Sequence, residues 1–501
     1  MDSLALLSMK VASNVFDLSS GMFNVSIRDQ MVRAQLIVRD LRRADPGLKN
    51  LLIVGAGAAG MTAALSAAQS GIANVVVLEA KSEPFFLFKG VTERHVGPFM
   101  YEWPSVFFDD QSYPKHSKTP WSGFAKSPLT WSSQNPCSAD ALAGMLSASL
   151  IVAMKKMKVR NRPLIFVGQT EARVHRIVKD FANHEAARNQ ARLTKQPLPN
   201  RYRFRLPAPD LWTAGNKFKK QKKPKLSDFA PQYIILAAGM GYENLKLVML
   251  DRVENTYTGG NPECLRFWEN DQLLNVQTCD KRIAIFGGGD GALQDVLRAL
   301  TGFAHPLELL RKLESVAGVR RALHAVAPDL LALDRQGRQF ATWTTHHEEF
   351  RALDGACRSI AGQLAGQAVV AKRVQQLIRR GRGAVTLVVR ETYFDKTYLL
   401  NRFMVHLLDA CAQAGAWPGR MGLDVRFHSR ACGYRDENPK HEIEVLDTVS
   451  GRVTTIHADE IAVRYGIERD TVPGAQMIQV SDARSRHRTT MARIELPFVM
   501  A

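Results

Sequence analysis

Short runs that are apolar at every position recur along this chain, among them Leu51-Leu52-Ile53-Val54, Val75-Val76-Val77-Leu78 and Ile283-Ala284-Ile285-Phe286. Runs of this length, bounded by glycine and polar residues, predict strands covered on both faces, as in a parallel sheet flanked by helices. Between the first two lie closely spaced glycines and an Ala-rich stretch free of breakers, which predicts a helix. Residues 51 to 78 carry no charge and exceed the roughly 18 apolar residues of a membrane-span candidate. Their punctuation by Gly55, Gly57, Gly60 and Gly71 argues instead for strand, turn, helix, turn, strand: a βαβ unit.

Within that unit Gly55-x-Gly57-x-x-Gly60 stands between strand and helix, and Glu79 ends the second strand 19 residues after the last glycine. In such a turn the first glycine permits the tight bend, the second lets backbone approach a pyrophosphate, and the third allows close packing of helix on sheet. The helix N-terminus supplies unpaired N–H groups and a positive pole to phosphates. Glu79 is placed to accept hydrogen bonds from an adenosine ribose. A dinucleotide site is the expectation.

A second copy follows. Arg282 to Phe286 leads into Gly287-x-Gly289-x-x-Ala292 and a helix through about Leu300, then an apolar run, Leu307 to Leu310, read as a strand. Gly55 to Glu79 is 24 positions, and the same count from Gly287 lands on Arg311, beside Lys312. An acid here suits a free ribose 2′-hydroxyl and an arginine suits a 2′-phosphate, so the first site favours FAD or NAD and the second NADP.

The repeat extends beyond the glycines. After the first βαβ unit come a helix from Ala139 to about Lys158, a strand Leu164 to Gln169, a basic polar stretch with strand-like pieces near Tyr202 to Leu206, and a strand Tyr233 to Ala237 ending in Ala238-Gly239. After the second come a helix from Tyr398 to about Gln413, a strand Asp424 to His428, a hairpin-like pair (Glu442 to Leu446, Arg452 to Ile456) and a strand Ile461 to Arg464 ending in Tyr465-Gly466. The fold class expected is α/β: two Rossmann-like dinucleotide-binding lobes, three-layer parallel sheets with β-meanders, plus a helical insert. The boundaries are an N-terminal helical extension at 1–46, an FAD-binding lobe at 47–275, an NAD(P)-binding lobe at 280–466 with the insert at about 312–383, and a C-terminal return at 467–501.

Composition narrows the classes. With 501 residues, 46% hydrophobic and 23% charged, the chain is a multidomain globular protein rather than a collagen, a long disordered chain or a coiled coil. Six cysteines without a C-x-x-C pair exclude a disulfide scaffold. The first basic residue is Lys10, so no charged region precedes an apolar signal core, and a cytoplasmic location is expected. Lys and Arg number 67 against 48 acids, a formal net charge of +19 that favours anionic partners. Much of the excess lies in Lys217 to Lys225, in Arg201 to Arg205 and in Arg379-Arg380-Gly381-Arg382, runs that read first as solvated loops and second as nucleic-acid contacts. His346-His347-Glu348-Glu349 lacks metal-ligand spacing, and no metal site is expected.

The segments LLIVGAGAAGMTAALSAAQ with VVVLEA, YIILAAGMG, and IAIFGGGDGALQDVLRAL resemble the flavoproteins with two dinucleotide-binding domains, the superfamily of thioredoxin-reductase-like enzymes and flavin-dependent monooxygenases. The resemblance implies that Gly55, Gly57, Gly60, Glu79 and Gly239 hold FAD, and that Gly287, Gly289, Ala292 and Arg311 hold NADPH or NADH. It implies also that the loop Glu93 to Pro104 runs towards the flavin ring, where Arg94 would neutralise a phosphate or a reduced flavin and His95 or Glu102 would move a proton. Two departures stand out. The C-x-x-C pair of the disulfide reductases is missing, which turns the expectation from dithiol chemistry to a monooxygenase or oxidase. The family's C-terminal return carries a Gly-Asp that meets the ribityl chain, whereas Ile467 to Ala501 contains Ser481-Asp482 but no Gly-Asp.

The function expected is an FAD-dependent oxidoreductase whose flavin is reduced by NAD(P)H and reoxidised by oxygen or a small-molecule acceptor. The alternatives are a non-catalytic nucleotide-binding or assembly protein on a degenerate flavoprotein fold, and a flavoenzyme acting on RNA. The insert is a candidate cap over the active site or a homo-oligomer contact.

Overall fold

The computed structural model describes residues 6, 9–18, 26–98, 100–101, 103–104, 128–131, 135–206, 210–214, 217, 228–239, 241–251, 257–339, 347–394, 397–415, 417–437 and 440–468. The first lobe is built on a six-stranded sheet in the order Lys10–Ala12, Val15–Asp17, Tyr233–Leu236, Asn50–Val54, Asn74–Leu78, Leu164–Phe166. Only the terminal hairpin is antiparallel. Alternate residues explain why these strands are apolar throughout. Leu51, Ile53, Val75 and Val77 face a core shared with the helices Ile27–Ala44, Ala58–Gln69 and Ala139–Lys156. Leu52, Val54, Val76 and Leu78 face a second core under the helix Glu171–Leu193.

Two expectations for this lobe need correction. The N-terminal 46 residues are not a separate extension, because Val15–Asp17 pairs in parallel with Tyr233–Leu236 and extends the sheet. A three-residue strand shows no periodicity of its own. The basic stretch after Gln169 holds a helix, Glu171–Leu193, whose Val174, Ile177, Val178 and Phe181 are buried at helical spacing. Its charged residues masked that stripe. What remains of the meander is a two-stranded ribbon, Phe204–Arg205 with Asp228–Phe229, beside which Arg201, Arg203 and Arg205 are exposed. Most of the basic run, 218–225, lies outside the described residues.

The second lobe repeats the plan with a parallel sheet ordered Gly422–Arg426, Ala384–Val388, Arg282–Phe286, Glu460–Val463. Helices Asp290–Thr301 and Leu399–Ala414 cover one face, and a three-stranded meander, Ser429–Glu437, Lys440–Asp447 and Val453–Ala458, covers the other. Here the strand read at Leu307 to Leu310 is a helix, Pro306–Glu314. Leu307, Leu310 and Leu313 form a buried stripe at spacing three, Pro306 sits in the first turn, and His305 Nδ1 caps the start by accepting from the Glu308 N–H at 3.2 Å. The strand that pairs with Arg282–Phe286 is Ala384–Val388, some seventy residues further on.

The intervening helices Pro306–Glu314, Ala317–Gln339, His347–Ala365 and Ala368–Leu377 share one apolar core with Leu399–Ala414. The insert thus thickens the outer face of the second lobe. The cation run at its end is partly structural: Arg379 donates to the carbonyls of Leu274 and Asn275. No helix among the described residues is long and apolar enough to cross a membrane.

Candidate functional site

The first Gly-rich turn joins the strand Asn50–Val54 to the helix Ala58–Gln69 at the carboxyl end of the sheet. Gly55 has φ +100°, and a Cβ there would stand 2.3 Å from the Ala237 carbonyl oxygen, so the turn is wedged against the closing strand. A Cβ on Gly60 would stand 1.9 Å from the Gly55 carbonyl oxygen, which is the close helix approach expected of the third glycine. Gly57 differs. It is the N-cap of the helix, no side chain caps it, and nothing lies within 4 Å of where its Cβ would be. The open face, the uncapped helix and the bend form a cradle that could hold a pyrophosphate.

Glu79 follows the second strand, as expected, and its carboxylate accepts from the N–H groups of Ala56 at 2.5 Å and Lys81 at 2.8 Å. Each oxygen keeps lone-pair capacity for a ribose hydroxyl. Gly239 closes the lobe at φ +87°, exposed and with open space at its Cβ position. These five residues lie around the C-terminal edge of one sheet and fit the adenosine diphosphate half of FAD.

The second turn is built alike. The Gly287 N–H donates to Val388 O at 3.0 Å, as the Gly55 N–H donates to Leu78 O at 2.7 Å. A Cβ on Gly287 would stand 2.3 Å from Arg464 O, Gly289 is the uncapped N-cap with open space, and Ala292 is fully buried at the third-glycine position. The register of Ala384–Val388 makes Val389 the counterpart of Glu79, with Arg390 next to it. Arg311 therefore does not hold the expected place. It lies in the last turn of Pro306–Glu314, exposed, with Nη2 donating to Asn135 Oδ1 at 3.3 Å. Counting 24 positions failed because the helical insert precedes the second strand of this lobe. The missed base is Arg390, and its signal was the run Ala384-Val385-Thr386-Leu387-Val388-Val389-Arg390, a second-strand pattern like that ending in Glu79.

A cavity of about 790 Å³ opens at the second turn and reaches the loop of the first lobe that runs from Arg94. Gly287 to Gly291, Arg390 and Arg464 line one side; His95, Val96, Met100 and Tyr101 line the other. No residue from 312 to 383 lines it, so among the described residues the insert is not a cap. The loop is pinned across the lobes: Tyr101 stacks on Tyr398 with ring centroids 4.0 Å apart, and Gln294 Nε2 donates to the Tyr101 hydroxyl at 2.8 Å. Burial pushes the Tyr101 phenol well above its ordinary range.

His95 faces this cavity, its imidazole 5.8 Å from that of His305. Burial, and then the Arg298 charge, hold its pKa below the usual value, so it is neutral at pH 7 and able to accept a proton. Glu102 lies outside the described residues.

Arg94 is not available to a cofactor. Only 2% exposed, it pairs with Asp295, and with Asp271 at 2.7 Å. Arg298 joins both acids and Arg464 Nε donates to Asp295 at 2.8 Å. Three arginines from both lobes thus share two acids at the junction. The arrangement follows from burial, since an arginine drawn this deep needs carboxylates of its own. The network holds Asp295 far below the usual carboxylate range, against the burial that alone would raise it.

Asp290, the first residue of the helix after the second turn, also lines the cavity. Burial pushes its pKa up to about 6, while Oδ1 accepts from Tyr398 N–H at 2.9 Å and Asn401 Nδ2 at 2.8 Å. The folded protein holds this proton more tightly than the unfolded chain, so the associated stability is full below about pH 4 and is lost as pH rises through about 6. Asp290→Asn keeps the accepting oxygen. We expect the variant to gain about 1–3 kcal/mol over wild type at pH 7 and nothing at pH 4, read from urea midpoints at both pH values.

Residues 50–84 match the family model described as an FAD binding domain. No curated protein matches the chain. Among solved structures, the chain is similar to the Lactococcus lactis thioredoxin reductase in its FR conformation, at 10% identity and TM-score 0.33 over 83% of this chain and 77% of that one. It is similar to the T. acidophilum thioredoxin reductase at 11% identity and TM-score 0.33, over 88% and 96% of the two chains. A third is DfoA of Erwinia amylovora, a cadaverine monooxygenase bound to FAD, at 11% identity and TM-score 0.35 over 86% and 81%. The segment that matches the FAD binding domain, residues 50–84, is the βαβ unit whose open Gly57 and strand-end Glu79 form the first cradle.

Proposed function

We propose that the protein is an FAD-dependent oxidoreductase whose flavin is reduced by NAD(P)H and reoxidised by oxygen or a small-molecule acceptor. The observation that carries the reading is the pairing of two open Gly-rich cradles, one on each parallel sheet, with a shared cavity between the second cradle and the loop from His95 to Tyr101. Ligands of open α/β sheets bind outside the carboxyl ends of the strands, and two such ends in one chain suit two nucleotides exchanging electrons. When bound, FAD supplies the hydride acceptor and the electron transfer; the chain supplies placement, charge and exclusion of water.

Gly55, Gly57, Gly60, Glu79 and Gly239 hold the adenosine diphosphate of FAD. Gly287, Gly289 and Ala292 hold the nicotinamide nucleotide, and Arg390 takes the role first given to Arg311. Its guanidinium is exposed and paired with Glu391 at 2.5 Å, so a 2′-phosphate would compete for it with a carboxylate. Neutral His95 accepts or returns the proton that accompanies substrate oxidation, and the Tyr101–Tyr398 stack keeps water from that side of the cavity.

Anaerobic mixing with NADPH tests the reading. The visible flavin absorbance should bleach, and Arg390→Ala should weaken NADPH about 10- to 100-fold while leaving NADH within about twofold, the difference expected of a charge-assisted phosphate contact. A purified protein without flavin, or flavin that neither nucleotide bleaches, would sink it.

A further inference from the structure

The first sheet has a second functional-looking edge, at the end opposite its Gly-rich turn. The helix Ala139–Lys156 ends there, and a short helical turn, Val159–Asn161, leads into the amino end of the strand Leu164–Phe166. The helix Glu171–Leu193 ends at the same edge. Its Glu185 Oε2 accepts from Asn14 Nδ2 at 3.0 Å and its Asn189 Nδ2 donates to Ser13 Oγ at 3.3 Å, both in the turn that opens the strand Val15–Asp17. That strand runs parallel to Leu164–Phe166 through the sheet, so both helix ends lie at the amino ends of the strands. The Gly-rich turn lies at the carboxyl end.

Lys155, Lys156, Lys158 and Arg160 are exposed around the first helix end, Lys195 follows the second, and Lys49 precedes the strand Asn50–Val54 between them. None of these cations pairs with an acid among the described residues. The chain has no Asp or Glu from 141 to 170 or from 186 to 209. Asp45, where Ile27–Ala44 ends at this edge, accepts from Gln232 Nε2 at 3.3 Å. Val159 is 47% exposed among the first cations, and Leu193 and Leu198 are 79% and 49% exposed beside Lys195. A single exposed aliphatic is ordinary, and cations in a last helical turn answer its negative pole. Lys158, Arg160 and Lys195 stand beyond the helix ends, where that pole does not require them, and they alternate with the aliphatics along one edge.

We propose that this amino edge docks on an anionic membrane surface, with its cations on the lipid headgroups and Val159, Leu193 and Leu198 entering the acyl boundary. Cations or a few aliphatics alone bind a bilayer marginally, and the two together hold. Single-stranded nucleic acid is the other extended polyanion, and it asks for exposed aromatic faces on which bases stack. Tyr202, the aromatic in the acid-free stretch that follows Lys195, is packed against Phe181 and Phe204, with ring centroids 6.2 and 6.3 Å away. Docked in this way, the first lobe turns the carboxyl ends of its strands, and the cradle on them, towards water. The proposal stands apart from the oxidoreductase reading, since it uses none of the residues of either Gly-rich turn.

Co-sedimentation of the full chain with vesicles tests it. One set of vesicles is phosphatidylcholine alone and the other carries about 30% phosphatidylserine, both at about 0.1 M salt, where surface charge is still felt over roughly 10 Å. A charge variant combines Lys155→Gln, Lys156→Gln, Lys158→Gln and Arg160→Gln. An aliphatic variant, Val159→Ser with Leu193→Ser, leaves the charge untouched. The control removes as many exposed cations from the helical insert, by Lys312→Gln, Arg321→Gln, Arg335→Gln and Lys372→Gln. All of these positions are exposed, and melting temperatures check that each variant folds.

Wild type should sediment with the anionic vesicles and not with the neutral ones. The charge variant should lose about 100-fold in affinity for them, the aliphatic variant about tenfold, and the insert control less than about threefold. Wild type that ignores anionic vesicles overturns the proposal. So does binding that survives either edge variant, or that falls as far in the insert control, because net charge rather than this edge would then be at work. Retention of poly(U) by a wild type that no vesicle holds, lost in the charge variant and kept in the aliphatic one, would give the edge to nucleic acid and overturn the membrane assignment.

Discussion

Gly57→Val should yield a folded apoprotein, within about 1 kcal/mol of the wild-type apoprotein in stability, that no longer retains FAD. Gly57 has φ −71°, ψ −173°, extended backbone that valine adopts freely, and nothing within 4 Å meets its Cβ. The added Cβ therefore meets no atom of the fold, the loss of an N-cap glycine costs about 1 kcal/mol, and the side chain stands where a pyrophosphate must approach. A loss of about 100- to 1,000-fold in FAD affinity is expected, roughly 3–4 kcal/mol. The visible absorbance after purification and a titration of the apoprotein with FAD measure it, with melting of both apoproteins as the stability control. Gly60 provides the contrast. A Cβ there meets Gly55 O at 1.9 Å, so Gly60→Ala should lower stability itself. Retention of FAD by Gly57→Val would remove the first cradle from the reading.

Asp295→Ala should cost about 3–5 kcal/mol, the range found when one partner of a buried ion network is removed and the others are left charged. Asp295 is fully buried and accepts from Arg94, Arg298 and Arg464. Without it Arg94 and Arg298 retain Asp271, and Arg464 keeps only the carbonyls of Leu265 and Val463. Because the folded-state pKa is depressed, the contribution is complete at neutral pH and fades only as pH falls below the range where free carboxylates titrate. Arg94→Met should cost less, since Asp295 keeps two partners. Denaturant midpoints order the three proteins. Limited proteolysis should find the first new cleavage near the junction that Arg94 spans, because that network ties the loop of one lobe to a helix and strand end of the other. Equal midpoints for wild type and Asp295→Ala would show that the network does not hold the lobes.

The first cradle was legible because its physics is local. Strand, glycine spacing, helix and acid fall within 30 residues, and each glycine's role depends on neighbours close in sequence or on one closing strand. The second cradle was legible at its glycines and misread at its base. Leu307 to Leu310 is apolar at every position, a pattern that a buried strand and the inner stripe of a helix share over four residues. His305 and Pro306 were the signals that chose the helix. Arg94 was expected to neutralise a phosphate or a reduced flavin, and no pattern in the chain announces that Asp271 and Asp295 converge on it from 177 and 201 residues away.

By itself the sequence determined two repeated α/β lobes, a Gly-rich turn opening each, a helical insert in the second, and the absence of a C-x-x-C pair. These are consequences of periodicity and of backbone conformations that only certain residues adopt, and both are written within a few turns of chain. The tertiary structure alone decided which base stands at the second strand end, that the N-terminal strand completes the first sheet, that Arg94 is spent on carboxylates, and that the loop from His95 to Tyr101 shares a cavity with the second turn. Each joins residues separated by roughly a hundred positions or more, where proximity is set by how packed elements cross and not by any local preference of the residues concerned.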